Sequence, residues 1–336
     1  MENREQFLAE RLSGMGGSDA AAICGLNPYK SALQVWREKV GLHVTEESEA
    51  MFWGTALEPV ILKRYDKIVK ERYGETAEVI PGEFFRHIDH PFLIAHCDGV
   101  LVNRQNGSGP QVDTAFGIVE VKTAGDRMKG DWGEEWSDDI PQAYLTQVQH
   151  YLGVTGLDFC HVAVLFGGHE FRIYEVKANP EFIASLFELE TRFWNEHVVP
   201  QVPPPPDGSE SAKKMLDEMY PADTGATVEA TGEVIEWVEE FFRQRKAEKL
   251  AKEKKEEAQN HVIAFMGEAA ILTGPDFKIT YKTDKEKEVV DYKCAVNDLL
   301  QSKDVDDHIK GVVRDYLGAY TETKAGSRRF LAKFEE

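Results

Sequence analysis

Along the chain, a helical spacing of apolar residues gives way repeatedly to short runs with a two-residue alternation, and each change of period marks an element. Residues 18–24 read as a short helix with Ser18 as N-cap and Gly25 as its stop. Ser31-x-x-Gln34 has the form of a capping box opening a helix through Lys39. Residues 49–73 carry a long helical pattern interrupted at Gly54 and Pro59, where either Thr55 caps a new helix or one helix kinks. Strands are expected at 92–96 and 99–102, flanking a turn at Asp98-Gly99, and again at 116–122. The polar stretch 103–114 between them reads as a loop. Pro141 opens a helix to about Leu152. Strands at 158–166 and 170–176 follow, joined by Gly167-Gly168-His169, and Asn179-Pro180 starts a helix to about Val198.

This α-β-β-β-α-β order predicts an α/β (α+β) fold, a mixed central sheet flanked by helices in a restriction-endonuclease-like core. The core is expected over 1–199, with the proline-rich stretch 200–210 as a linker. Residues 211–336 then form a C-terminal α+β appendage. It holds a long charged helix over 232–267, a strand at 277–282, two helical stretches and a strand at 328–334, which suggests a helical arm with a two-stranded ribbon.

The 336 residues are 42% hydrophobic, enough for a sizeable core. No run reaches membrane-spanning length, and the charged N-terminus lacks an apolar signal core, so a cytosolic protein is expected. Cys24, Cys97, Cys160 and Cys294 form no C-x-x-C pair, which argues against zinc ribbons and iron–sulfur clusters and for reduced, mostly buried thiols. The net charge of −20 argues against a simple basic DNA-binding surface and confines any nucleic-acid contact to a groove or pore. The mixed run from Arg243 to Lys255 reads as a solvated helix face.

Residues 117–123, GIVEVKT, carry the strongest chemical signal. In a strand Glu120 and Lys122 share one face, while Val119 and Val121 point into a core. Asp98 adds a second carboxylate on the same sheet. Mg²⁺ takes hard oxygen ligands and keeps several waters. Asp98, Glu120 and the backbone carbonyl of Val121 would supply such oxygens, with Lys122 placed to hold the attacking water or stabilise charge on a phosphate. Glu58, on the helix before the sheet, is a further acidic candidate. Tyr144 and Gln147, three apart on a helix, share a face that could look onto the site. Gly14-Met15-Gly16-Gly17-Ser18 precedes a helix, and Arg11 with Ser18 could hold a terminal phosphate. Singly, each feature has a plain structural explanation: a hairpin turn, a surface ion pair, a solvent-facing glutamine, a capped turn.

Together, R-x2-G-x-G-G-S-D-A-A, W-G-T-x-L-E-P, H-C-D-G, V-E-V-K-T and Q-x-Y-x-x-Q-x-Q-x-Y occur in this order over residues 8–195 and resemble the YqaJ viral recombinase family, related to phage lambda exonuclease. The resemblance implies a PD-(D/E)xK core and an Mg²⁺-dependent 5′→3′ exonuclease, with Mn²⁺ able to substitute. The substrate is double-stranded DNA ends, and the product is a 3′ overhang used by a phage-type single-strand annealing protein. It implies Asp98 and Glu120 as principal metal ligands, Lys122 as catalytic lysine, Glu58 as a further ligand and Gln147 as a supporting polar group. Arg11 and Ser18 fall in the 5′-phosphate pocket. It also implies a ring-shaped homotrimer with the DNA inside. Two other readings stay open: a nuclease of the same fold with single-strand or endonucleolytic preference, and a non-catalytic DNA-end-binding scaffold.

Overall fold

A computed structural model describes residues 9–103, 115–283 and 291–321. Five strands form the sheet of the first unit: β1 (Ala77–Arg86), β2 (Ile94–Asn103), β3 (Ala115–Ala124), β4 (Phe159–Phe166) and β5 (Glu170–Lys177), side by side in chain order. Neighbours run antiparallel except β3 and β4, which are parallel. A parallel pair needs a crossover, and helix α4 (Gln142–Thr155) supplies it.

Two apolar cores sandwich this sheet. One face packs against α1 (Gly17–Ile23), α2 (Ala32–Lys39), α4 and α5 (Pro180–Phe193) through residues such as Ala22, Trp36, Val148, Leu152 and Phe193. The other packs against α3 (Glu49–Tyr73), which buries Ile61, Leu62, Tyr65 and Val69 at helical spacing onto Leu101, Val119, Val121 and Ala163. α3 is a single helix capped by Ser48, whose hydroxyl accepts from the Met51 N–H, and Pro59 lies inside it. Ser31 caps α2 as expected, accepting from the Gln34 N–H at 3.2 Å. Asn179 and Pro180 open α5 in the same way. Ser18 does not cap α1. Gly16 holds that position, and its N–H donates to the Asp19 carboxylate at 3.1 Å, so Ser18 lies inside the helix.

Asp98-Gly99 is not a turn. β2 runs unbroken through it, and the edge strand β1, unforeseen because Pro81-Gly82 reads as a breaker, pairs along its length. Proline is tolerated on an edge strand. The register continues from Ala77 opposite Asn103 to Arg86 opposite Ile94, omitting only Gly82, which has φ +66° and lies opposite Asp98. Ala95, Cys97, Val100 and Val102 all face the same core, so the two-residue alternation slips once at Asp98-Gly99. Ile80 and Phe85 show the same slip in β1, which keeps the two strands in register. Gly99 is required there: a Cβ would meet side chains of Val79 and Val119, each at 2.8 Å.

The first unit extends to Tyr220, past the expected linker at 200–210. Helix α6 (Glu210–Met219) belongs to the core because it docks on α2. Ala212 and Met215 are fully buried, Ser211 hydrogen-bonds Ser31, and Arg37 donates to the Met215 carbonyl at 3.1 Å and pairs with Glu218 at 2.8 Å. The second unit, Pro221–Glu336, contains α7 (Glu233–Met266), a two-stranded ribbon of β6 (Ile271–Thr273) and β7 (Lys278–Thr280), α8 (Tyr292–Gln301) and α9 (Asp307–Ala319). The partner of the 278–280 strand is thus 271–273. The expected strand at 328–334 and most of the 103–114 loop lie outside the described residues. Among the described residues no helix is long and apolar enough to cross a membrane.

Candidate active site

Glu120 and Lys122 alternate with Val119 and Val121 on β3, as a strand requires. The two valines anchor β3 in the α3 core, and the charged pair faces α4. Extending the β2–β3 register by one residue from Gly99 opposite Val119 sets Asp98 level with Glu120. The slip in β2 lets the Asp98 carboxylate accept from the Val121 N–H at 2.7 Å. A cleft of about 220 Å³ is lined by Gly54, Glu58, Asp98, Glu120, Val121, Lys122 and Thr123. Sheet and α3 together therefore gather the four charged candidates. Gly54 and Thr123 were not foreseen as lining residues, because neither carries a chemical signal in the sequence.

The charges do not balance. Three carboxylates share one ammonium. Lys122 Nζ donates to Glu120 Oε1, and Gln147 Nε2 donates to the same oxygen at 2.7 Å. Glu120 Oε2 is buried and meets no donor. Burial, reinforced by the Asp98 charge, pushes the Glu120 carboxyl up to about 8. Burial likewise raises Asp98, against the pull of Lys122 and the Val121 N–H. Glu58 is raised to about 7 by burial and then by Asp98. Lys122 is raised: burial disfavours its charge, but Glu120 and Asp98 outweigh that. Gln147 also donates to Tyr151 Oη at 3.1 Å, so a buried tyrosine orients the amide. Tyr144 sets its ring 5.2 Å from Lys122 Nζ, where the π face attracts the ammonium.

Among the described residues, no three His, Cys, Asp or Glu side chains converge closely enough to hold a metal as they stand. The donor chemistry nevertheless fits a divalent cation. Asp98 and Glu120 line the same cleft, and two neighbouring buried acids are satisfied by sharing a proton or by sharing a cation. The donorless Glu120 Oε2 and the nearby Glu58 are hard oxygen ligands of the kind Mg²⁺ takes.

Arg11 and Ser18 also meet, the guanidinium donating to Ser18 Oγ at 3.4 Å. Around them lies a cluster that sequence reasoning missed. Asp19, 1% exposed, pairs with Lys39 at 2.6 Å and Lys30 at 2.7 Å. Lys30 also reaches Glu38 at 2.5 Å, and Lys39 donates to the Arg11 carbonyl at 2.6 Å. Spread over 29 residues, Arg11 to Lys39, these groups have no periodic spacing to betray them. α1 bears directly on the active-site helix: a Cβ on Gly17 would meet Gln147 Cγ and Tyr151 Cε1, each at 2.8 Å.

A mixed five-stranded sheet between helices thus carries an aspartate on one inner strand and E-x-K on the next. Residues 6–158 match the YqaJ-like viral recombinase domain. The chain is 30% identical over 278 residues to the uncharacterized protein YqaJ of Bacillus subtilis (strain 168), covering 79% of this chain and 81% of that one. The chain belongs to the YqaJ-like viral recombinase family. The uncharacterized protein R354 of Acanthamoeba polyphaga mimivirus is 24% identical over 163 residues, 47% of this chain but only 28% of that protein. Among solved structures, the alkaline exonuclease LHK-Exo from Laribacter hongkongensis aligns over 64% of this chain and all of its own, at 16% identity and TM-score 0.42. A phage-related exonuclease from Haemophilus somnus 129PT aligns over 56% and 96%, at 14% identity and TM-score 0.39.

Proposed function

We propose that the chain is a nuclease acting on double-stranded DNA ends, a 5′→3′ exonuclease that leaves 3′ overhangs for recombination by strand annealing. The observation that carries this reading is the gathering of Glu58, Asp98, Glu120 and Lys122 into one cleft with a surplus of buried carboxylate. Membership of the YqaJ-like viral recombinase family supports it.

Asp98, Glu120, Glu58 and the Val121 carbonyl would hold Mg²⁺ or Mn²⁺. When bound, the ion would neutralise the carboxylate surplus, polarise the phosphate and supply an activated water. Lys122, kept protonated by Glu120 and Asp98, would orient the water or stabilise charge developing on the phosphate. Gln147 holds the Glu120 carboxylate in one rotamer, and Tyr151 holds Gln147. Val121 N–H fixes Asp98. Arg11 and Ser18, amid Lys30 and Lys39, would receive a 5′-terminal phosphate through charge-assisted hydrogen bonds. A ring of three copies around the DNA would reconcile the acidic chain with its substrate by confining positive charge to an inner channel. The overhang would pass to a single-strand annealing protein.

The test is linear duplex labelled separately at each 5′ and 3′ terminus, incubated with Mg²⁺. Release of 5′-terminal mononucleotides with the 3′ label retained is expected. Internal cuts would move the assignment to an endonuclease, preference for single strands would remove the duplex assignment, and full activity in EDTA would overturn the metal-assisted chemistry.

A further inference from the structure

The sheet opens at the candidate active site, and α4 spans the opening. The β2–β3 ladder runs from Val102 opposite Ala115 to Gly99 opposite Val119 and ends there. Beyond it, the Val121 N–H donates to the Asp98 side chain. Further along, β2 leans instead on the segment before α1. Met15 N–H donates to the Phe92 carbonyl at 2.6 Å, and Ile94 N–H donates to the Met15 carbonyl at 2.9 Å. The N–H and C=O of one strand residue point to the same side, so the Ile94 carbonyl also faces that gap. His150 Nε2–H donates to it at 2.8 Å. Three residues earlier, on the same face of α4, Gln147 donates to Glu120 on β3 at 2.7 Å. One helical turn thus holds both strands where they no longer hold each other.

Glu190 on α5 holds the His150 ring. Both side chains are fully buried, and Nδ1 lies 2.7 Å from Glu190 Oε1. A carbonyl only accepts, so Nε2 carries a hydrogen, and a bare Nδ1 would repel the carboxylate it faces. A proton therefore lies between ring and carboxyl. His150 is raised: burial disfavours its charge, but Glu190 outweighs that. Glu190 Oε2 has no donor among the described residues. Such a pair adds little to the stability of a core, because apolar side chains of the same volume do as well without leaving water at a cost. Apolar side chains could not bind the Ile94 carbonyl, however, and the packing of Val148 and Leu152 has no direction of its own. We propose that His150, held by Glu190, is a positioning residue for cleavage: it pins the Asp98 strand to α4 and so sets Asp98 against the Glu120 that Gln147 holds. The effect on cleavage rests on the nuclease reading.

Two double variants of the full chain separate positioning from packing. His150→Phe/Glu190→Met fills the space but offers Ile94 no donor. His150→Gln/Glu190→Gln keeps an amide N–H where Nε2 stood. The apolar pair should stay folded by circular dichroism and bind 5′-phosphorylated duplex with unchanged Kd, yet cleave it about 10²-fold more slowly in single turnovers at saturating DNA. The amide pair should keep most of the rate. A second readout needs no activity. The Gln147 side-chain NH₂ resonances of ¹⁵N-glutamine-labelled protein, identified by their absence in Gln147→Ala, should move in the apolar pair and stay in the amide pair. A folded apolar pair that cleaves at the unmodified rate, or leaves those resonances in place, would overturn the proposal. So would a folded amide pair in which they move, and that variant still decides the matter if the apolar pair does not fold. If the unmodified protein cuts no duplex, the nuclease reading fails by itself and the resonances still test the pin.

Discussion

Two buried charge clusters lie on either side of the Gly17–Gln147 contact, and they err in opposite directions. At Asp19, burial would raise the carboxyl, but Lys30 and Lys39 outweigh it and hold it well below its ordinary range. Lys39 is itself lowered, first by burial, with Lys30 and Arg11 adding to it. At Glu120 burial wins, because Lys122 is the one cation among three acids. Lys30 is shared between Asp19 and Glu38, so that cluster holds acids and bases together, whereas around Glu120 three acids face one ammonium. A buried cluster with a residual charge is costly, so the carboxylate surplus calls for a cation.

The comparison is most sharply broken at Lys122. Lys122→Ala should lower single-turnover cleavage of linear duplex by at least about 10²–10³-fold in protein that is still folded by circular dichroism, and Asp98→Ala should do the same. Unchanged cleavage in purified Lys122→Ala would remove the lysine from the mechanism.

The clusters should respond to neutralisation with opposite signs. Asp19→Asn leaves Lys39 without its buried carboxylate and Lys30 with Glu38 alone, and should cost about 3–5 kcal/mol in urea unfolding. Glu120→Gln removes a surplus charge and should stabilise at pH 8 by about 1 kcal/mol, although cleavage is lost. The pH dependence gives the reason. Glu120 binds its proton more tightly folded than unfolded, so between about pH 4.5 and 8 the native state holds more protons and stability falls as pH rises. Subtracting the Glu120→Gln profile should isolate that slope. Asp19 works the other way: its contribution is present above the ordinary carboxylate range and is lost as pH falls through its depressed folded value. Stabilisation of both the unmodified protein and Glu120→Gln by millimolar Mg²⁺, to the same extent, would dissociate the cation from Glu120.

A smaller effect is expected at the anion side. Ends bearing a 5′-phosphate should be cut faster than 5′-hydroxyl ends, and Arg11→Ala should reduce that preference by about tenfold, the loss of one charged hydrogen bond. Equal rates on both ends in the unmodified protein would discard the pocket.

How far the sequence discloses this arrangement depends on the distance over which each signal acts. Glu120 and Lys122 are two residues apart on one strand, and strand alternation alone places them together. Ser31, Asn179 and the Gly167-Gly168 hairpin act within four residues and were equally legible. Asp98-Gly99 and Pro81-Gly82 were misleading for a shared reason. Both are local turn signals, and here they mark matching irregularities in two paired strands, whose stability comes from each other and from the core behind them. Asp19 reads as part of a glycine-rich helix start. Its role appears only when Lys30 and Lys39 fold back onto it, and nothing in a linear spacing of 11 and 20 residues announces that. The domain boundary moved for the same cause: five prolines look like a linker, but Ser211, Met215 and Glu218 beyond them bind α2.

Pro59 has no N–H to donate, so the Thr55 carbonyl one turn earlier lacks its helical partner, and the segment bearing Glu58 is tied to the rest of α3 by one bond fewer. Asp98 and Glu120 sit on strands locked by neighbours on both sides. One wall of the cleft is therefore held by fewer backbone bonds than the other, and an adjustment to the size of what enters should fall on the helix before the sheet.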